Sequence, residues 1–205
     1  MDSQKLKTVW HKISEKIAAN KDYLTELDQA LGDGDLGVSM VHGFEAVDQA
    51  FSQSQEQDLG KLLLAGSKAF NGAAPSSLGT IISLGMMGLA SALKGKAEAT
   101  FDDLADAFGK SLDKIVQRTG TKTGEKTMID AYLPACEALK AHAGATAEEG
   151  FKAAAEAARA GSEATKQMVA AHGRAAYYGE KSLGHFDGGS VVVKLVFETI
   201  AESCE

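Results

Sequence analysis

Asp28, Asp33 and Asp35 fall within eight residues of one another, in the stretch Leu27-Asp-Gln-Ala-Leu-Gly-Asp-Gly-Asp-Leu-Gly-Val-Ser-Met40. Carboxylates this close repel one another unless a cation lies between them. Their hard oxygen atoms suit Mg²⁺ or Ca²⁺ better than a softer transition metal. The apolar spacing before them predicts a helix ending near Gly32. Its negative dipole end points at the same place and sharpens the repulsion. A bound divalent cation is the simplest remedy. An EF-hand does not fit: counted from Asp33, the sixth position is Val38 rather than Gly and the twelfth is Phe44 rather than Glu.

Three more glycine-rich segments, 71–80, 119–127 and 173–189, carry Ser, Thr, Asp and Arg. Backbone N–H groups in such loops approach anions closely. Gathered at one end of a helix bundle, they would form a nucleotide-sized site. Gly120-Thr-Lys-Thr-Gly-Glu-Lys-Thr127 has the spacing G-x-x-x-G-x-K-T. That is not a Walker A loop, and no strand precedes it; the segment reads as a helix N-terminus feeding Met128. Segment 71–80 also starts a helix, with Ser76 or Ser77 as N-cap. Segment 173–190 is long for a bundle loop and reads as a lid. Within it Arg174 is either a phosphate partner or a solvated surface charge, and His185 reads as a structural hydrogen-bonding group. His11, His42, His142 and His172 show no ligand spacing.

The elements that must hold these loops are helical. Leu6, Val9, Trp10, Ile13 and Ile17, then Tyr23, Leu24 and Leu27, recur at helical spacing. Further helices are expected near 38–53, 58–70, 78–94, 101–118, 126–142, 147–170 and 189–203. The β-like string Ser190-Val-Val-Val-Lys-Leu-Val-Phe197 reads as a buried helix, because the chain offers no partner strand. The expectation is an all-α bundle of about eight helices.

No linker or block repeat divides residues 1–205, so a single domain is expected. Hydrophobic residues make up 44% of the chain, enough for a core, and the net charge of −7 argues against a nucleic-acid or anionic-membrane surface. The N-terminal residues lack a signal-peptide h-region, and no apolar run reaches spanning length. Cys136 and Cys204 read as free thiols of a cytoplasmic protein.

Taken together, the motifs resemble the L subunit of dihydroxyacetone kinase, its nucleotide-binding half. The anchors are 27–37, Asn71-Gly-Ala-Ala74 with Leu78-Gly-Thr80, Gly124-Glu-Lys-Thr-Met-Ile-Asp130, and Gly173-Arg-Ala-Ala-Tyr177 with Gly179-Glu-Lys-Ser-Leu-Gly-His185 and Asp187. The resemblance implies an eight-helix antiparallel barrel with a nucleotide pocket at one end. It implies that Asp28, Asp33 and Asp35 hold two Mg²⁺ ions bridging the phosphates of ADP or ATP. Leu36, Gly37, Val38 and Ser39 would wrap the phosphates. Ala73, Ala74, Thr119, Gly120 and Met128 would border the nucleotide, Arg174 would contact it, and Asp187, Gly188 and Gly189 would cap it. The family usually has His and Asn where this chain has Leu36 and Ser39, and a proline where it has Gly188. The last change should loosen the cap by raising backbone freedom.

The resemblance further implies a phosphotransferase subunit without a catalytic residue of its own, working beside a K subunit that holds dihydroxyacetone. A phosphohistidine-carrying M subunit would recharge the bound ADP. A homodimer is a possible assembly. Two other functions fit the same residues: the L subunit of an ATP-dependent kinase for another ketose, and a nucleotide-binding regulator.

Overall fold

The computed structural model describes residues 1–204. Among them lie nine α-helices: α1 (Ser3–Ala19), α2 (Lys21–Leu31), α3 (Leu36–Gln53), α4 (Leu59–Ala73), α5 (Ser77–Ala92), α6 (Phe101–Thr119), α7 (Ile129–Ala141), α8 (Ala147–Ala164) and α9 (Gly188–Glu202). Short 3₁₀ segments, Thr165–Gln167 and Arg174–Ser182, occupy much of the connection between α8 and α9. The chain is all-α, and no strand occurs among the described residues.

Eight of the helices form a closed ring. α3 packs on α4, α4 on α5, and so on to α9; α1 then closes the ring by packing on both α9 and α3. The extra helix, α2, lies beside α3. It arises because the chain breaks at Asn20, whose backbone leaves helical geometry (φ −103°, ψ 12°) and whose amide side chain donates to the Lys16 carbonyl at 2.8 Å. Short connections between packed neighbours reverse the chain at each step, so alternate helices start at the same end.

Local sequence chemistry sets the helix starts. Asp2, Asp58, Ser76, Thr100, Thr146 and Asp187 each accept a backbone N–H of the following first turn. Thr100 with Asp103, and Thr146 with Glu149, make complete capping boxes. The string 190–197 is helical as expected, lying wholly within α9.

One apolar core fills the ring. Trp10 stacks on Phe44 at 5.6 Å, and its indole N–H donates to the Phe44 carbonyl, so a buried polar group keeps its bond. Phe108, Tyr132, Phe151 and Phe197 form a second aromatic group, with the Tyr132 hydroxyl donating to Ser111 at 2.8 Å. α5 and α6 approach so closely that a Cβ at Gly88 would stand 2.5 Å from the Ser111 Cα. None of the described helices is long and apolar enough to cross a membrane.

Candidate functional site

At the ring end where α3, α5, α7 and α9 begin, a cavity of about 1190 Å³ opens. Its wall includes Leu36 and Ser39 of α3, Ser76, Ser77 and Leu78 at the start of α5, Lys126, Thr127 and Met128 leading into α7, and Asp187, Gly188 and Gly189 at the start of α9. Four helix N-termini therefore share one cavity. Each points the positive end of its dipole at the cavity. The first N–H groups of α5 and α9, ahead of their capped Gly79 and Ser190, add donors, and together these favour a polyanion.

The aspartate cluster stands at the rim of this positive end. One carboxylate oxygen from each of Asp28, Asp33 and Asp35 comes within 4.8 Å of the others. α2 delivers Asp28 from its last turn, and the bend after Gly32 delivers the other two. Asp28 Oδ2 accepts the N–H groups of Gly34 at 2.8 Å, Asp35 at 3.0 Å and Leu36 at 3.4 Å. One carboxylate oxygen thus shapes the whole turn, leaving Oδ1 for a cation. The Asp35 carboxyl is pushed above its ordinary range, first by desolvation and then by Asp33 and Asp28, while Arg174 pulls it down. The part that comes from Asp33 and Asp28 is the repulsion that a bound cation relieves. All three donors are hard oxygens, so the residues fit Mg²⁺.

Arg174 reaches across from the α8–α9 connection, and its guanidinium pairs with Asp33 Oδ2 at 2.7 Å. The 171–174 stretch is anchored beside it. The Ala171 N–H donates to the Glu125 carbonyl, and His172 Nε2 lies 2.7 Å from Glu125 Oε2. Asp187 is half-buried by surface area but lies deep in the cavity wall. Desolvation pushes its carboxyl up to about 7, against the Ser190 N–H and Lys126, which both pull it down; Asp130 and Asp28 push it further up. Its Oδ2 accepts the Ser190 N–H at 2.6 Å, and its own N–H donates to Thr165 Oγ1 at 3.0 Å. Two bonds therefore tie down the α9 start beside Gly188.

The structure brings most of the expected residues together. Asp28, Asp33, Asp35, Leu36, Ser39, Met128, Arg174, Asp187, Gly188 and Gly189 line the cavity. Six others do not. Gly37 packs against α2, where a Cβ would meet the Lys21 carbonyl and the Thr25 hydroxyl. Val38 is 39% exposed. Ala73 ends α4, and the fully buried Ala74 is its C-cap. Thr119 ends α6, and Gly120 terminates it in the left-handed conformation at φ 68°.

Sequence reasoning missed Lys126, Thr127, Ser76 and His172 as wall residues. Ser76 carried a signal as an N-cap, and its Oγ lies 3.2 Å from Ser39 Oγ. Lys126 carried none beyond its place in the Walker-like string. Its backbone is left-handed at φ 59°, so the expected helix at 126–142 begins only at Ile129.

The DAK2 domain matches residues 30–202. The PEP-dependent dihydroxyacetone kinase 2, ADP-binding subunit DhaL, of Listeria innocua is 31% identical over 206 residues, spanning 99% of this chain and 95% of the relative. The corresponding Escherichia coli K12 subunit is 27% identical over 187 residues, spanning 90% and 89%. Among solved structures, the dihydroxyacetone kinase from C. freundii in complex with AMP-PNP and Mg²⁺ superposes with a TM-score of 0.77 at 24% identity. The match covers 96% of this chain and 33% of that one, and it is a likeness of fold.

Proposed function

The chain belongs to the DAK2 domain family, and from that premise we propose that it is the ADP- and Mg²⁺-binding subunit of a phosphotransferase-system-dependent dihydroxyacetone kinase. The observation that carries this reading is the joining of one cavity from four helix N-termini and three clustered aspartates. A diphosphate with its metal answers both charges at once. The full-length similarity to subunits named ADP-binding supports the nucleotide, and their PEP-dependent names support the phosphotransferase system as donor.

In this account Asp28, Asp33 and Asp35 hold two Mg²⁺ ions. Magnesium there supplies charge neutralisation on the phosphate oxygens. The N–H groups at the starts of α3, α5 and α9 hold the phosphates from the other side. Arg174 turns from Asp33 toward the nucleotide, and Met128 and Leu78 give its base an apolar wall. The six expected residues outside the cavity wall act from behind it, by shaping the turns at the ends of α4 and α6 and the first turn of α3. Residues 1–205 work as one unit. The dihydroxyacetone sits on a separate K subunit that covers the mouth, as the resemblance to L subunits implies. Activity therefore requires partner subunits, including a phosphohistidine carrier that recharges ADP in the cytoplasm.

The test is reconstitution. The chain with a K subunit, a phosphohistidine carrier and PEP should phosphorylate dihydroxyacetone with ADP bound throughout, and the chain alone should not. Phosphorylation by the isolated chain with ATP would contradict the reading.

A further inference from the structure

Lys126 is 3% exposed, yet it carries an ammonium group. Burial alone lowers its pKa, with Asp187 and Asp130 opposing the shift. A buried charge is costly unless it is hydrogen-bonded, so the partners of this one matter. Its Nζ donates to the Thr165 carbonyl at 2.6 Å and to the His185 carbonyl at 2.5 Å. The first acceptor lies just after α8, and the second lies two residues before Asp187.

The backbone of Lys126 is also costly. It is the one non-glycine residue with positive φ among those described. Asp130 enforces this turn: its Oδ1 accepts the Gly124 N–H at 2.6 Å and its Oδ2 accepts the Thr127 N–H at 2.8 Å. From the other side, Thr165 Oγ1 accepts the Asp187 N–H and donates to the Ser162 carbonyl, and Ser162 Oγ bonds Ser190 Oγ at 3.0 Å. The turn before α7, the end of α8 and the start of α9 are thus locked into one polar network beside the cavity.

We propose that Lys126 is a positioning residue for nucleotide binding. Its ammonium pins the His185–Asp187 strap to the end of α8, so that the α9 N–H groups face the phosphates before the ligand arrives. This rests on the proposed ADP site. Preorganisation of this kind adds affinity by removing an ordering cost at binding.

Lys126→Met keeps the stem and deletes both bonds. Thr165→Val keeps the carbonyl that Lys126 uses and deletes the acceptor of the Asp187 N–H. Mg²⁺-ADP affinity is measured by calorimetry on the wild type, both single variants and the double variant, well below each melting temperature, with helicity checked by circular dichroism. Each single variant should lose about tenfold or more in affinity, and the double variant should lose less than the sum of the two, because both act on one strap. A melting temperature lowered with affinity unchanged would reduce Lys126 to a stabiliser and overturn the proposal. Loss in Lys126→Met with none in Thr165→Val would overturn it too, in favour of direct charge on the phosphate. A wild type that binds no ADP would instead refute the nucleotide reading itself.

Discussion

Leu36 and Gly188 occupy one another's space. A Cβ added at Gly188 would run into Leu36 Cδ2, so the first residue of α9 stays small where the first residue of α3 is large. These are two positions at which the resemblance to dihydroxyacetone kinase L subunits implies a departure, from His and from Pro. The two residues are in steric contact, so the size of one limits the size of the other. Leucine occupies the space beside Gly188 and lines the cavity there with carbon.

Gly188→Ala should destabilise the protein by less than about 1 kcal/mol, since the atom its methyl group meets is the flexible end of Leu36, which lines the cavity and can shift into it. In a Leu36→Ala background the same change should cost nearly nothing. Urea unfolding of the four proteins measures the coupling, and additive costs would show that the two residues are independent.

The three aspartates should separate into two kinds. Asp33→Ala or Asp35→Ala should abolish Mg²⁺-nucleotide binding and leave the helical circular dichroism spectrum intact. Asp28→Ala should also cost about 1–3 kcal/mol of stability, because its Oδ2 accepts three backbone N–H groups of the turn. Equal melting temperatures for the three variants would refute that division.

Arg174 should show opposite effects on metal and nucleotide. Its side chain is 67% exposed, so its pair with Asp33 adds little to stability, below about 1 kcal/mol. Without it, Asp33 loses a competing cation. Arg174→Ala should tighten Mg²⁺ alone and weaken Mg²⁺-ADP. Calorimetric titration of each ligand decides, and weakening of both would contradict the competition.

Asp187 should give stability a pH dependence. Its folded-state pKa, about 7, lies above the ordinary 3.8. The folded protein then holds a proton that the unfolded chain has lost, so this contribution is full below about pH 4 and declines as pH rises toward 7. Denaturant unfolding of the nucleotide-free protein across that range should show a slope that Asp187→Asn removes. An unchanged slope in the variant would place the ionisation elsewhere.

How much of this was legible in the sequence depends on the kind of signal. Apolar period and capping residues give the helices directly, even for 190–197, where β-branched valines point the other way. The break at Asn20 left no such mark, because the apolar spacing runs through it; the ring of eight helices therefore has a ninth beside it. The aspartates declare themselves by local spacing alone. Lys126, His172 and the Leu36–Gly188 contact do not, because each depends on partners 39 to 152 residues away or on a backbone angle that composition does not record.

The most direct measurement is calorimetric titration of ADP into the purified, nucleotide-stripped protein, with Mg²⁺ and then with EDTA. The account predicts saturable binding at one ADP per chain that requires Mg²⁺ and vanishes in Asp33→Ala. Absence of binding, or binding of equal strength in EDTA, would contradict it.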